Sequence, residues 1–209
     1  MCGIVGYVGK NKALPILLGG LKALEYRGYD SAGVVILDGG KVNKKKTVGP
    51  VSVLEQAIKA KKFNGHLGIG HTRWATHGAP TILNAHPHFD CQEKIFVAHN
   101  GIIENHRELR IFLTARGHKL KSQTDTEVLP HLIEDFLTKG KDFKPALVEA
   151  LKMIKGAYAL VIINANNPKI LYATKISSPL VIGVGENENF LASDPSALVG
   201  KTKKIIYLK

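Results

Sequence analysis

The chain has 209 residues, of which 44% are hydrophobic and 22% charged, a composition typical of a globular protein with a sizeable core. No apolar run approaches the ~20 residues of a membrane-spanning helix, and the first ten residues lack the basic start of a secretory signal, so we expect a cytoplasmic protein with no membrane partner. Two cysteines make no disulfide framework and fit a reducing compartment. The formal charge of +12 comes from scattered lysines without interleaved aromatic residues, which favours solvated lysines and predicts no nucleic-acid partner.

The first third of the sequence mixes strand-like and helical patterns. IVGYVG near the start is a short apolar, β-rich run, which predicts a buried strand. Helical spacing of apolar residues then predicts a helix over 14–26, and SAGVVIL predicts a strand over 31–37, followed by an Asp-Gly-Gly turn and a second short strand. A further helix is expected over 51–60, with Ser52 as a possible N-cap.

The remaining sequence contains runs of strands and a block of helices. Strand-like runs at 68–71 and 95–99 flank a polar loop rich in proline and histidine. Helices are predicted at 105–116 (ended by Gly117), 126–137 and 143–154, and strands at 158–164, 170–173, 180–184, 190–193 and 204–208. This grouping predicts an α+β fold with antiparallel sheets and helices on their outer faces. Because neither GxGxxG nor a P-loop occurs, a Rossmann-type sheet is disfavoured.

Cys2 directly follows the initiator Met1. If Met1 is removed, Cys2 carries a thiol and a free α-amino group whose unperturbed pKa is about 7.7–8, so a nucleophile and a general base would stand side by side. The alternative is that Cys2 packs as a small hydrophobic residue.

Three short segments gather polar groups where the surrounding pattern predicts core or tight turn. In HTRWATHG (71–78), Arg73 could bind a carboxylate; otherwise the segment is a surface loop that Trp74 anchors to the core. Asn100 and Gly101 end an apolar strand and could supply two donors to an oxyanion, although Asn-Gly is also the commonest hairpin turn. In SQTDTE (122–127), Thr124 or Asp125 could cap a helix with Glu127 completing a capping box, or Asp125 could bind a substrate ammonium. Together these groups describe a site for an α-amino acid whose side-chain amide is cleaved.

Taken in order along the whole chain, these motifs resemble the class II (N-terminal-nucleophile) glutamine amidotransferases. The similarity is carried by MCGIVGYVG, LEYRGYDSAG, GIGHTRWATHG, NAHPH, AHNGIIEN, TDTEV, KGAYAL and SPLVIGVGENENFLASD. Residues 25–33 point to the branch that aminates a sugar phosphate, rather than to the phosphoribosyl-transferring branch.

The resemblance implies an αββα sandwich of two antiparallel sheets and L-glutamine as substrate. It implies Cys2 as nucleophile with its own α-amine as base, and Asn100 with Gly101 as the oxyanion hole. Arg73 would bind the glutamine α-carboxylate and Asp125 its α-ammonium. The remaining residues implied around the pocket are Trp74, Thr76 and His77, with Trp74 at a gate over the ammonia path.

The implied reaction forms a γ-glutamyl thioester on Cys2, which water hydrolyses to glutamate. The released ammonia would aminate fructose 6-phosphate to glucosamine 6-phosphate in the full enzyme. No metal or organic cofactor is expected, because His71, His86 and His88 match no standard zinc signature.

Two departures from the family pattern bear on these expectations. Residues 173–179 lack the usual Arg and Gly-Ser before Pro-Leu, which could alter contacts near the substrate or the partner domain. We expect residues 1–209 to form one glutaminase domain without sugar-isomerising domains, either excised from a homodimeric full-length enzyme or acting as a stand-alone glutaminase. A glutamine-sensing domain without chemistry and an RNA-binding protein are the competing hypotheses.

Overall fold

The computed structural model describes residues 2–75 and 78–208. Its helices are α1 (Ala13–Ala23), α2 (Val51–Ile58), α3 (His106–Ala115), α4 (Val128–Thr138) and α5 (Phe143–Met153). Its strands are β1 (Gly3–Gly9), β2 (Ser31–Asp38), β3 (Lys41–Val48), β4 (Leu67–Arg73), β5 (His88–Phe89), β6 (Ile95–Ile103), β7 (Gly156–Asn164), β8 (Leu171–Ile176), β9 (Val181–Gly185), β10 (Glu188–Ala192) and β11 (Lys204–Tyr207). No helix in the described ranges has the length and apolar character to cross a membrane.

The strands form two sheets, and neighbouring strands within each pair antiparallel. The larger sheet has the order β11-β9-β10-β1-β4-β2-β3, and the smaller has the order β5-β6-β7-β8. In the larger sheet β1 lies between β10 and β4, with Val5 opposite Ala192 on one side and Gly70 on the other. β9 and β10 form a hairpin in which Gly185 lies opposite Glu188.

Alternate residues of the central strands face different layers of the core. Val5 of β1 packs with α1 and α2, whereas its neighbour Ile4 packs between the two sheets with Phe96 of β6. In the same way Val97 of β6 packs against the cluster that includes α3, α4 and α5. This two-residue period buries both faces of each sheet and gives four layers, helix–sheet–sheet–helix. The predicted αββα sandwich is therefore confirmed.

Two local expectations about the first half of the chain are wrong. α1 ends at Ala23, and the predicted last turn becomes a separate 3-10 turn over Glu25–Arg27. α2 is not capped by Ser52: Pro50 occupies the N-cap position, and the backbone N–H of Val51 donates to a Glu25 carboxylate oxygen at 2.6 Å. A carboxylate from a distant turn supplies the acceptor that a local serine was expected to supply.

Candidate functional site

The Cys2 thiol lies immediately before central strand β1 and is partly buried. The backbone N–H of Trp74 donates to Sγ at 3.2 Å, and Sγ lies 3.5 Å from the Trp74 carbonyl oxygen, which accepts from the thiol. Burial raises the pKa of the Cys2 thiol, and the hydrogen bond with Trp74 opposes this only in part. Because the neutral thiol is favoured, nucleophilic attack needs a base close to the sulfur.

The backbone of Cys2 is held by two side chains from different elements. Asn100 Nδ2 donates to the Cys2 carbonyl oxygen at 2.9 Å, and Arg27 Nε donates to the same oxygen at 3.3 Å. Arg27 is buried and pairs with Asp194 at 3.0 Å. Arg27 was not predicted as a site residue, and its only signal in the sequence was its place in the LEYRGYDSAG motif.

Asn100 and Gly101 lie inside β6, so their interpretation as a hairpin turn is wrong. They pair in register with Ala159 and Tyr158 of β7. Gly101 has φ +127°, and a Cβ at this position would lie 2.0 Å from the Ala157 carbonyl oxygen, so the position requires glycine. Asn100 Oδ1 accepts from His71 Nε2 at 3.1 Å, which turns its amide nitrogen toward Cys2.

Arg73 ends β4, and its side chain is buried against backbone carbonyls. Its guanidinium donates to the carbonyl oxygens of Gly78 (2.9 Å) and Ala79 (3.3 Å), and lies 4.0 Å from the Asp30 carboxylate. These contacts hold a buried positive charge at the site, where it can pair with an anionic group.

Trp74 follows Arg73 and is 49% exposed, so it does not anchor this segment in the core as the surface-loop alternative required. Its ring packs edge-to-face on Tyr29 with centroids 5.5 Å apart. Thr76 and His77, also predicted around the pocket, lie outside the described residues.

Asp125 is buried just before α4 and does not cap that helix. Its Oδ2 accepts from the Ile103 backbone N–H at 2.8 Å. The predicted capping box is wrong, because α4 begins at Val128 and Glu127 makes no side-chain cap bond. Glu127 instead accepts from the backbone N–H groups of Lys121 (2.8 Å) and Ser122 (2.7 Å), which fixes the loop that presents Asp125.

One pocket of about 280 Å³ brings most of the predicted site residues together. Its lining includes Cys2, Arg73, Trp74, Asn100, Gly101 and Asp125. Arg27, His86, His99, Ser178 and Pro179 also line it. The last two belong to the stretch that departs from the family pattern, so the departure reaches the pocket wall.

Four buried histidines lie in or beside the wall of the pocket: His71, His86, His88 and His99. His71 of β4 donates from Nε2 to the His99 carbonyl oxygen of β6 at 3.0 Å, and its ring stacks on His86 at 4.1 Å. Burial lowers the pKa of His71 to about 3 and that of His99 to about 4. These imidazoles are neutral at pH 7 and act as hydrogen-bonding supports.

A four-layer sandwich with a cysteine ahead of a central strand defines a class, the amidotransferases that use such a cysteine on an N-terminal-nucleophile fold. A profile of the family described as the glutamine amidotransferase domain matches residues 71–200. The chain belongs to this family, as its motifs predicted.

Similar proteins agree with this assignment. The chain is 52% identical to the glutamine–fructose-6-phosphate aminotransferase (isomerizing) of Bacteroides thetaiotaomicron and 49% identical to that of Thermococcus kodakarensis, covering 100% of this chain but 34% and 35% of those relatives. It therefore spans about a third of the length of the curated relatives it matches.

Solved structures also share this fold. The glutamine phosphoribosylpyrophosphate amidotransferase of B. subtilis, complexed with ADP and GMP, superposes with a TM-score of 0.84 at 30% identity, covering 100% of this chain and 45% of that one. A structure described as the allosteric regulatory enzyme of purine biosynthesis gives 0.85 at 32% identity, covering 100% and 44%.

Proposed function

We propose that residues 1–209 form one glutaminase domain that hydrolyses the side-chain amide of L-glutamine through a γ-glutamyl thioester on Cys2. The observation that carries the proposal is the pocket in which a thiol, an amide donor, a guanidinium and a carboxylate face the same space. These four groups match the four functional parts of glutamine: the scissile carbonyl carbon, its oxygen, the α-carboxylate and the α-ammonium.

Charge complementarity sets the orientation of the substrate. The α-carboxylate pairs with the buried Arg73 guanidinium, and the α-ammonium pairs with Asp125. With the α-carbon held at that end, the side-chain amide extends toward Cys2 Sγ. Trp74, half exposed at the pocket, gates the path of ammonia, and Thr76 and His77 contribute to the pocket wall in this proposal.

The chemical steps require Met1 to be absent, because the base is the α-amine of Cys2. The amine takes the thiol proton as sulfur attacks the amide carbon, and Asn100 Nδ2 with the Gly101 N–H stabilises the oxyanion. The amine then gives its proton to the departing nitrogen, ammonia leaves, and the thioester remains. Water activated by the same amine cleaves the thioester, which releases glutamate and restores the thiol.

For the whole protein we propose that the ammonia aminates fructose 6-phosphate to glucosamine 6-phosphate in a sugar-isomerising domain joined to this one. The names of the relatives support this, since this chain matches about a third of their length. A homodimeric full-length enzyme and a cytoplasmic location stay predictions. The cytoplasmic location is supported by the unpaired state of Cys2 and Cys91.

The test compares chains with and without Met1, verified by intact mass, in an assay of glutamate release from glutamine. We expect activity only after removal of Met1, its loss in Cys2→Ala, and its retention in Ser52→Ala, a control substitution of similar size at an exposed position of α2. Activity in a chain that retains Met1, or in Cys2→Ala, would refute the mechanism. Glutamine binding by calorimetry without ammonia release in the processed chain would select the sensing hypothesis instead.

A further inference from the structure

Four side chains that the glutamine site does not use converge on the helical side of the smaller sheet. Cys91 lies in the turn after β5, His118 follows the end of α3, and His131 and Glu134 lie three residues apart on one face of α4. Their sulfur, nitrogen and carboxylate oxygen atoms all lie within 4.8 Å of one another. None of the four lines the pocket that contains Cys2.

The distances between these atoms resemble the edges of a tetrahedral metal site. Cys91 Sγ lies 3.5 Å from His131 Nδ1 and 3.9 Å from His118 Nδ1. Glu134 Oε2 lies 3.3 Å from His131 Nδ1 and 2.9 Å from His118 Nδ1. Around a tetrahedral Zn²⁺, with bonds of about 2.3 Å to sulfur and 2.0–2.2 Å to nitrogen or oxygen, neighbouring ligands are about 3.3–3.6 Å apart.

The groups around the cluster resemble those that support the ligands in metal sites. Asp135 Oδ1 lies 3.6 Å from His118 Nε2, where an outer carboxylate orients a ligating imidazole. Asp135 is itself held by Arg116 and Lys139, each at 2.6 Å. The Lys119 backbone N–H donates to Cys91 Sγ at 3.5 Å, which stabilises a thiolate.

We propose that Cys91, His118, His131 and Glu134 bind one Zn²⁺ in a closed, four-coordinate structural site. A thiolate, a carboxylate and two neutral imidazoles neutralise the charge of the ion, and they fill the coordination number that structural zinc prefers. The site leaves no position for a substrate or a reactive water. Zinc therefore fastens the turn after β5 and the loop after α3 onto α4.

This fastening also supports the segment that presents Asp125, because that segment leads directly into α4. No metal was predicted from the sequence, on the spacing of His71, His86 and His88; the members of the present cluster are far apart in sequence, apart from His131 and Glu134. The ligands come from a turn, a loop and a helix, and only the fold brings them together.

The test measures zinc directly and does not depend on glutaminase activity. Protein purified without chelator is dialysed extensively and analysed by mass spectrometry of its metals, which should give about one zinc per chain. Cys91→Ala, at an exposed position, and His118→Ala should lose this zinc. Cys2→Ala, which removes the other cysteine, should keep it.

A second readout uses Co²⁺ added to metal-free protein. A thiolate-to-cobalt charge-transfer band and the strong visible bands of a tetrahedral ion should develop in Cys2→Ala but not in Cys91→Ala. The proposal is overturned if folded, metal-free protein takes up neither Zn²⁺ nor Co²⁺. It is equally overturned if Cys91→Ala binds zinc as well as the unaltered chain.

Discussion

Asn100 bonds two parts of the site at once, since its oxygen accepts from His71 and its nitrogen donates to the Cys2 carbonyl. The amide therefore cannot flip without breaking both contacts, and its N–H₂ stays aimed at the side of the pocket where an oxyanion would form. A hydrogen-bond donor that is already aimed at the oxyanion position speeds the reaction, because it does not have to reorient as the charge forms.

Replacing Asn100 by alanine should reduce kcat for glutamate release by about 10²–10³, equivalent to about 2.7–4 kcal/mol. KM for glutamine should change little, because Asn100 contacts neither the α-carboxylate nor the α-ammonium in the proposed orientation. Asn11→Ala, at an exposed position just beyond the far end of β1, is the matched control and should leave both constants unchanged. Loss confined to KM would contradict the role of Asn100 at the oxyanion.

Arg73→Lys should act on substrate binding instead. Lysine keeps the charge but cannot form the two parallel hydrogen bonds of a guanidinium. Loss of a charge-assisted hydrogen bond is worth about 1.5–3 kcal/mol, so we expect kcat/KM to fall by about 10–150-fold, mainly through KM. Arg107→Lys, on an exposed face of α3, should have no effect on steady-state kinetics. An unchanged KM in Arg73→Lys would remove Arg73 from the carboxylate site.

At the scale of elements, β6 contains a backbone constraint at Gly101 that is hard to see in the sequence. Its apolar run predicted a strand ending at His99, but the strand continues to Ile103 and includes Asn100 and Gly101. The positive φ of Gly101 occurs within a paired strand, directly against the backbone of β7.

Gly101→Ala should therefore destabilise the protein by about 3 kcal/mol or more, through both backbone strain and overlap with Ala157. Gly117→Ala is the matched control: Gly117 has φ +87° at the end of α3, and an added Cβ meets no atom within 4 Å. It isolates the backbone strain, for which we expect about 1 kcal/mol. Urea unfolding of both variants measures the difference. Equal destabilisation would show that the contact with Ala157 has no effect.

The order and type of the elements could be predicted from the sequence because hydrophobic periodicity is local. IVGYVG, the helical stripe beginning at Leu14 and the Gly117 helix stop each correspond to an observed element. The caps of α2 and α4 were predicted wrongly because Glu25 and Glu127 bind backbone groups that are distant or outside the helix. Long-range hydrogen bonds of this kind leave no periodic signal.

The residues of the candidate site also divide into those that could be predicted from the sequence and those that could not. Cys2, Arg73, Asn100, Gly101 and Asp125 were found because their motifs are short and carry a resemblance, and one pocket holds them all. Arg27 was missed because its partners, the Cys2 carbonyl and Asp194, lie at opposite ends of the chain. The Cys91 cluster was missed because Cys91, His118 and the His131–Glu134 pair are far apart in sequence and match no metal-binding motif.

At the scale of the whole molecule, the site depends on how the two sheets sit on each other. Cys2 leads into β1 of the larger sheet, and Asn100 lies in β6 of the smaller one. The histidine cluster lies beside them: His71 of the larger sheet bonds to the His99 carbonyl of the smaller one, and the rings of His99 and His88 bond to Thr126 and Thr124 ahead of α4. Their neutral state is therefore a condition for the packing around the site.

This arrangement predicts the direction in which pH changes stability. Burial lowers the pKa of all four imidazoles, with His86 and His88 also affected by nearby cationic groups, so the folded protein does not take up these protons near neutrality. The unfolded chain does so below its ordinary histidine pKa of about 6.5. The stability that the four neutral histidines contribute is thus fully present above pH ~6.5. It is lost as the pH falls toward their pKa values in the folded protein.

Between pH 7 and 5.5 each buried histidine should contribute about 1.2 kcal/mol to this loss, so the cluster contributes about 5 kcal/mol. Urea unfolding at several pH values measures the slope of the free energy of unfolding against pH. His88→Gln should reduce this slope by the contribution of one buried histidine. His66→Gln, at an exposed position, is the control and should retain the slope of the unaltered chain. Because each comparison is a difference between two chains, protons bound by other groups cancel. A slope in His88→Gln equal to that of the unaltered chain would mean that His88 takes up its proton in the folded state, and the buried cluster would then not be what limits stability in mild acid.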